Sequence, residues 1–203
     1  MNTPNKLTIL RICLVPFFII FLLTDFTVHK FIIAALIFGI ASITDHFDGK
    51  IAREKNLITD FGKFADPLAD KILVMSAFMC FVELGFIGSV VVIIMIAREF
   101  IVTSVRLVAV DKGKVIAANN WGKIKTISQI LSVIVILILQ YLLELVATNI
   151  IPMGFFGSGV KIEDLSLIFN IIGNIFIWIS AIFTIVSGII YVWNNREFVK
   201  NAG

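Results

Sequence analysis

The sequence predicts an all-α polytopic membrane protein, a bundle of six transmembrane helices, and three observations lead to that prediction. Of the 203 residues, 59% are hydrophobic and only 15% are charged, and the mean hydropathy is +1.03. A soluble domain is about half apolar and a quarter charged, so a chain of this size cannot hide the excess from water. The apolar residues also form continuous runs, which favours helices over a β-barrel.

The first three predicted spans are roughly 7–25, 30–52 and 65–86, and each has the ~20 mostly apolar residues that a bilayer-crossing helix needs. The first follows a basic start, as a signal peptide does. Arg11 lies well inside it, however, and no small-residue cleavage site follows, so we expect a retained helix. The second and third spans are apolar until they approach the short connection between them, where carboxylates gather.

The last three predicted spans are roughly 89–110, 123–147 and 165–193. The fourth carries Arg98 and Glu99 near its middle. Before the sixth, the stretch 148–164 contains a proline and three glycines, which is typical of an irregular loop. No internal repeat or change in composition divides the chain, so we expect one domain over residues 1–203.

The basic residues predict the orientation of the bundle, because lysine and arginine are enriched on the cytoplasmic side of a membrane. With the N-terminus inside, all 17 basic residues except Lys30 and Lys161 fall on the cytoplasmic side. Both termini are therefore expected in the cytoplasm. The net charge of +3 is too small to indicate nucleic-acid binding.

Four aspartates gather at the cytoplasmic ends of the second and third predicted helices. Asp45 and Asp48 lie about 60° apart around one helix, and Asp66 and Asp70 lie one turn apart on its antiparallel neighbour. Carboxylates this close need cations, and all-oxygen ligation favours two divalent ions, Mg²⁺ or Mn²⁺, as in phosphoryl transfer. The alternative is that the aspartates face water and pair with nearby basic residues: Lys50, Arg53, Lys63 and Lys71.

These residues resemble the signature of the CDP-alcohol phosphotransferase family, which is D-x-x-D-G-x-x-A-R, eight residues, then G-x-x-x-D-x-x-x-D. The sequence matches it at every fixed position: Asp45, Asp48, Gly49, Ala52, Arg53, Gly62, Asp66 and Asp70. Other segments are similar to bacterial members that transfer a phosphatidyl group to glycerol-3-phosphate: 5–8 with Arg11, 97–100, Arg106 and 122–126.

The resemblance implies a homodimer in a bacterial cell membrane, whose active site faces the cytoplasm. There, glycerol-3-phosphate attacks CDP-diacylglycerol and CMP leaves. Asp45, Asp48 and Asp66 would be metal ligands, and Asp70 the general base, also touching the second metal. The residues implied to bind CDP-diacylglycerol are Asn5, Thr8, Thr44, Asp48, Gly49, Ala52, Arg53 and Gly62.

Cations on the fourth and fifth predicted helices form the expected glycerol-3-phosphate site. A dianion arriving beside four carboxylates needs compensating positive charge, which Arg supplies through paired N–H groups and Lys as a point charge. These cations are Arg98, Arg106, Lys123 and Lys125. Contact with anionic lipid headgroups and an ion pair between Arg98 and Glu99 stay open as alternatives.

Two other functions remain possible from the sequence. One is the same reaction with another acceptor, such as inositol phosphate, serine or phosphatidylglycerol; the cations favour a phosphorylated acceptor. The other is a divalent-cation transporter. Transporters usually bind ions near the membrane midplane, within repeats, whereas these aspartates share one end and no repeat is visible.

Overall fold

In a computed structural model, the described part of the chain forms six α-helices and one short 3-10 helix, without a β-strand. The structure describes residues 3–54, 60–114, 116, 120–157 and 159–197, but not the side chains of 3–4, 45–54, 60–64, 66–67 and 70. The all-α prediction is confirmed. The elements are α1 (Thr3–Leu23), α2 (Lys30–Glu54), α3 (Asp60–Glu83), α4 (Ser89–Asp111), α5 (Asn120–Ala147), the 3-10 helix (Met153–Phe156) and α6 (Ile162–Asn194).

Three of the helices are long and apolar enough to cross a membrane by length and composition, among the residues described. They are α1 from Asn5 to Leu23, α5 and α6, and α2 adds a shorter apolar stretch at 30–44. The apolar run of α4 is interrupted because Arg98, Glu99 and Arg106 lie within it. The chain is therefore a polytopic helical membrane protein, as predicted.

Aromatic and aliphatic side chains divide between the core of the bundle and its outer surface. Phe18, Phe38, Phe78 and Phe81 are fully buried where α1, α2 and α3 pack together. Large apolar side chains on the other helix faces are exposed, for example Phe100, of which 70% is accessible. This outer surface suits lipid, which accepts apolar side chains that water would not.

Polar contacts join the helices inside the bundle. In lipid, apolar burial alone does not drive helices together, so packing of small residues and interhelical hydrogen bonds contribute more. The Ser132 hydroxyl of α5 donates to the Phe176 carbonyl of α6 at 3.0 Å, and Gln140 Nε2 donates to Asn170 Oδ1 at 2.9 Å. These contacts hold α5 against α6 over much of their length.

Successive helices run in opposite directions, which brings their polar ends to one side of the bundle. On one side, the Lys71 ammonium of α3 donates to the Thr103 hydroxyl of α4 at 2.7 Å. On the other, the Tyr141 hydroxyl of α5 lies 3.4 Å from His29 Nδ1, just before α2. The first side also holds the C-terminal half of α2 and the N-terminal half of α3. We call it the aspartate end.

Candidate active site

The aspartate end takes its name from four residues on two neighbouring helices. Asp45 and Asp48 lie in the C-terminal half of α2, and Asp66 and Asp70 in the N-terminal half of α3. Their side chains lie outside the described part of the structure, so their roles as metal ligands and base remain predictions. The same holds for other predicted site residues on these helices: Gly49, Ala52, Arg53 and Gly62.

Several buried side chains near the four aspartates are small. Ala41 of α2 and Ala65 and Ala69 of α3 are all buried. Small side chains let neighbouring helices approach closely, and both α2 and α3 pack on α1. Thr44, expected near CDP-diacylglycerol, donates its hydroxyl to the Ile40 carbonyl of its own helix at 2.6 Å, which leaves the oxygen free to accept.

Three polar residues of α1 are buried at the aspartate end. Asn5, Thr8 and Arg11 are 7%, 0% and 0% exposed, and they follow one another at three-residue intervals. The helix packs on α2 and α3. The sequence predicts Asn5 and Thr8 near the CDP-diacylglycerol site. The three-residue spacing also brings Arg11 near the same face of α1, which is a signal for it in the sequence.

A second group of charged side chains lies at the aspartate end, centred on Glu99 of α4. Glu99 Oε1 accepts hydrogen bonds from Lys125 Nζ of α5 and from Arg98 Nη1, the latter at 3.0 Å. Lys71 Nζ of α3 lies 3.7 Å from Glu99 Oε2. We call Lys71, Arg98, Glu99 and Lys125 the Glu99 cluster. Three of its side chains are at most 12% exposed, and Lys71 is 39% exposed.

The Glu99 cluster brings together two of the four cations predicted to bind glycerol-3-phosphate, Arg98 and Lys125. The other two, Arg106 and Lys123, are exposed and lie outside it. Helix geometry accounts for the difference. Lys123 precedes Lys125 by two residues, which is about 200° around α5, and Arg106 is displaced by about 80° from Arg98. The ion pair between Arg98 and Glu99, which the sequence leaves open as an alternative to phosphate binding, is present.

Helix α6 positions the side chain of Arg98. Its Nη2 group donates to the Ser187 hydroxyl at 2.7 Å, and its Cγ atom lies against the backbone of Gly188. Ser187 and Gly188 are both buried. Ser187 and Gly188 thus border the Glu99 cluster. The sequence pattern does not place them, or Lys71, in the predicted phosphate site.

Comparison with known proteins agrees with the signature on α2 and α3. The family profile described as CDP-alcohol phosphatidyltransferase matches residues 1–186. The chain belongs to the CDP-alcohol phosphatidyltransferase family. The resemblance drawn from the aspartate pattern is confirmed, and the match extends over all the helices except the end of α6.

Curated relatives from this family align with nearly the whole chain. A CDP-diacylglycerol–glycerol-3-phosphate 3-phosphatidyltransferase of Bacillus subtilis is 39% identical, covering 99% of this chain and 98% of the relative. A Rickettsia felis protein of the same name is 35% identical, covering 94% and 93%. A probable phosphatidylglycerophosphate synthase of Mycobacterium tuberculosis is 40% identical, covering 65% and 64%.

The aspartate end of this CDP-alcohol phosphatidyltransferase therefore combines acidic and basic halves. The acidic half lies on α2 and α3. The basic half is the Glu99 cluster, which reaches α3 at Lys71, the residue directly after Asp70. Among the described side chains, no three histidine, cysteine or carboxylate groups form a metal site.

Proposed function

We propose that this chain is an enzyme of phospholipid biosynthesis that transfers the phosphatidyl group of CDP-diacylglycerol to glycerol-3-phosphate. The products are phosphatidylglycerophosphate and CMP. The observation that carries the proposal is the Glu99 cluster, where three cations surround one carboxylate beside the acidic helix pair. Relatives named for this reaction match the chain over nearly its full length.

The four aspartates suit divalent cations. Their donors are carboxylate oxygens only, and their spacing on two adjacent antiparallel helices would allow them to share ions, which fits Mg²⁺ or Mn²⁺. Asp45, Asp48 and Asp66 would hold two ions, with Asp70 also touching the second. The ions would offset charge on the diphosphate and on the attacking and leaving oxygens.

Asp70 acts as the general base. Its carboxylate takes the proton of the acceptor hydroxyl, whose oxygen attacks the phosphorus that carries diacylglycerol. The bond from that phosphorus to the bridging oxygen breaks, and CMP leaves with that oxygen. CDP-diacylglycerol lies along the faces of α1 and α2 and the start of α3, against Asn5, Thr8, Thr44, Asp48, Gly49, Ala52, Arg53 and Gly62.

The acceptor's phosphate lies on the basic half of the site. Arg98 and Lys125 are buried and already together, so they contact it directly. Arg106 and Lys123 are exposed at the same end of the bundle. They attract the dianion toward the site and contact it at the rim, where a single charge contributes less because water screens it.

The chain is a single domain of residues 1–203 in a bacterial cell membrane, with both termini and the active site in the cytoplasm, and it acts as a homodimer without nucleic acid. The distribution of lysine and arginine supports the orientation. An impermeant thiol reagent applied to a cysteine introduced at exposed Lys112 in intact cells tests it. Labelling without lysis would contradict it.

CMP release by the purified full-length protein tests the reaction. The assay supplies CDP-diacylglycerol in detergent micelles with Mg²⁺ and compares glycerol-3-phosphate, inositol phosphate, serine and phosphatidylglycerol as acceptors. We expect CMP only with glycerol-3-phosphate, together with phosphatidylglycerophosphate in equal amount. CMP formed with serine alone, or equally without any acceptor, would show that the proposed acceptor is wrong.

A further inference from the structure

Among the described side chains, the Glu99 cluster carries more positive than negative charge. Lys71, Arg98 and Lys125 bring three positive charges from α3, α4 and α5, against the single negative charge of Glu99. The cluster therefore has a net charge of +2. Lys71 is 39% exposed, so the buried surplus among the described side chains is the one charge by which Arg98 and Lys125 exceed Glu99. A buried charge is retained when it is paired, so the cluster suits an anionic ligand.

The cluster also has hydrogen-bond donors to spare. Among the contacts described, the buried Nε group of Arg98 has no partner. The Lys125 side chain is 9% exposed, and its ammonium group, which has three N–H bonds, makes its hydrogen bond to Glu99. A phosphate monoester is a dianion with three terminal oxygens, so it matches both the surplus charge and the spare donors.

Lys71 differs from the other two cations in how it is held. Its ammonium group is bonded to the Thr103 hydroxyl at 2.7 Å, but is 3.7 Å from Glu99, beyond hydrogen-bond distance. It is also the most exposed member of the cluster. Thr103 therefore keeps Lys71 on the open side of the cluster, where an entering anion would meet it, directly after Asp70 in α3.

Glu99 holds the two buried cations together. A single oxygen, Oε1, accepts from both Arg98 and Lys125, which come from different helices. Without that carboxylate, the two like charges would repel each other and their side chains would separate. Glu99 thus fixes the distance between the two donors that a phosphate must bridge.

We infer that Glu99 is a positioning residue that joins Lys71, Arg98 and Lys125 into one phosphate-monoester site, with Lys71 as a further acceptor-binding residue. The inference deepens the proposed function and rests on it for the identity of the acceptor. The same phosphate chemistry could come from glycerol-3-phosphate or from the diphosphate of CDP-diacylglycerol. The KM values for the two substrates distinguish these sources.

Steady-state kinetics of Lys71→Met and Lys71→Arg test the binding role. Lys112→Met is the matched control, because it removes one exposed cation from the same end of the bundle outside the cluster. We expect Lys71→Met to raise the KM for glycerol-3-phosphate about tenfold or more, as the loss of a charge-assisted hydrogen bond does. Lys71→Arg should restore most of the affinity. Equal KM values in Lys71→Met and Lys112→Met, or a rise only for CDP-diacylglycerol, would overturn the assignment.

The same assay on Glu99→Gln and Glu99→Asp tests the positioning role. Glutamine keeps the size of the side chain but loses its charge. We expect it to raise the KM for glycerol-3-phosphate about tenfold while the KM for CDP-diacylglycerol stays within about twofold, and aspartate to recover part of the loss. A lower KM in Glu99→Gln would mean that the carboxylate only competes with phosphate, and would overturn the positioning role.

Thermal unfolding in detergent separates this inference from the proposed reaction. Glycerol-3-phosphate should raise the melting temperature of the wild-type protein, and it should raise the melting temperature of Lys71→Met much less. Serine should not change the melting temperature of either protein. If CMP is released with none of the acceptors, the proposed reaction is wrong. The shift in melting temperature still shows in that case whether the cluster binds a phosphate monoester. The absence of a shift in the wild type, with CMP release intact, would overturn the inference alone.

Discussion

Gly188 of α6 offers a direct way to displace Arg98 without removing any charge. A Cβ atom added at Gly188 would lie 2.8 Å from Arg98 Cγ, and 3.7 and 3.8 Å from Nε and Cδ. Because Cγ is near the base of the side chain, Gly188→Ala forces the whole arm of Arg98 to move. Overpacking of this kind costs about 1–3 kcal/mol, partly offset by the ~1 kcal/mol by which alanine favours a helix over glycine.

The displacement should reach the acceptor site through two hydrogen bonds. Arg98 donates to Glu99 at 3.0 Å and to Ser187 at 2.7 Å, and both depend on where its arm lies. Losing the placement of one charge-assisted hydrogen bond costs about 1.5–3 kcal/mol, which corresponds to about tenfold to a hundredfold in affinity. We therefore expect Gly188→Ala to raise the KM for glycerol-3-phosphate by that factor.

Gly173→Ala is the matched control, since it makes the same change on the same helix. Its added Cβ would lie 3.1 Å from Ile136 Cγ1, in an apolar contact far from Arg98. Gly173→Ala should lower the melting temperature or leave it unchanged. It should not alter the KM for glycerol-3-phosphate or the KM for CDP-diacylglycerol. If Gly188→Ala leaves the KM for glycerol-3-phosphate equal to that of Gly173→Ala, the role of Arg98 in acceptor binding is wrong.

Three further predictions concern the metal ions, the rim and the membrane part of the bundle. Excess EDTA should abolish CMP release, and added Mg²⁺ or Mn²⁺ should restore it. Asp66→Asn should stay inactive at any Mg²⁺ concentration. CMP release in excess EDTA, or by Asp66→Asn, would contradict the metal role. Arg106→Ala should raise the KM for glycerol-3-phosphate less than Arg98→Ala does, measured under identical conditions, because Arg106 is exposed. At Gly39 of α2, an added Cβ atom would meet nothing within 4 Å. Gly39→Ala should therefore raise the melting temperature through a gain of up to ~1 kcal/mol in helix propensity. A lower melting temperature would show that another surface covers this face of α2.

The helices and the family could be predicted from the sequence because both depend on local patterns. An apolar run of about 20 residues predicts a helix in lipid whatever its neighbours are, and the bounds of α2 and α4 agree with the spans expected at 30–52 and 89–110 to within two residues. The aspartate signature likewise depends only on spacing along two helices. Neither prediction needed a tertiary contact.

The membership of the Glu99 cluster could not be predicted in the same way. Lys71 is 28 residues from Glu99 and Lys125 is 26, so their meeting depends on how α3, α4 and α5 are placed around one another. The sequence groups Lys123 with Lys125 because both lie at the start of α5, but two residues along a helix turn their side chains about 200° apart, so only Lys125 joins the cluster. The sequence also indicates Lys71 only as a partner for the aspartates.

The charges of the Glu99 cluster suit ligand binding better than they suit the stability of the fold. A buried ion pair seldom stabilises a protein more than apolar residues of the same size would, and a surplus buried charge costs several kcal/mol. Three cations around one carboxylate therefore do not stabilise the fold by themselves. A dianion that binds only the folded chain would offset their charge, and at a hundred times its Kd it adds about 2.7 kcal/mol of stability. Because Lys71 and Asp70 are consecutive in the backbone of α3, the proposed phosphate site and the proposed base lie within one helical turn of each other.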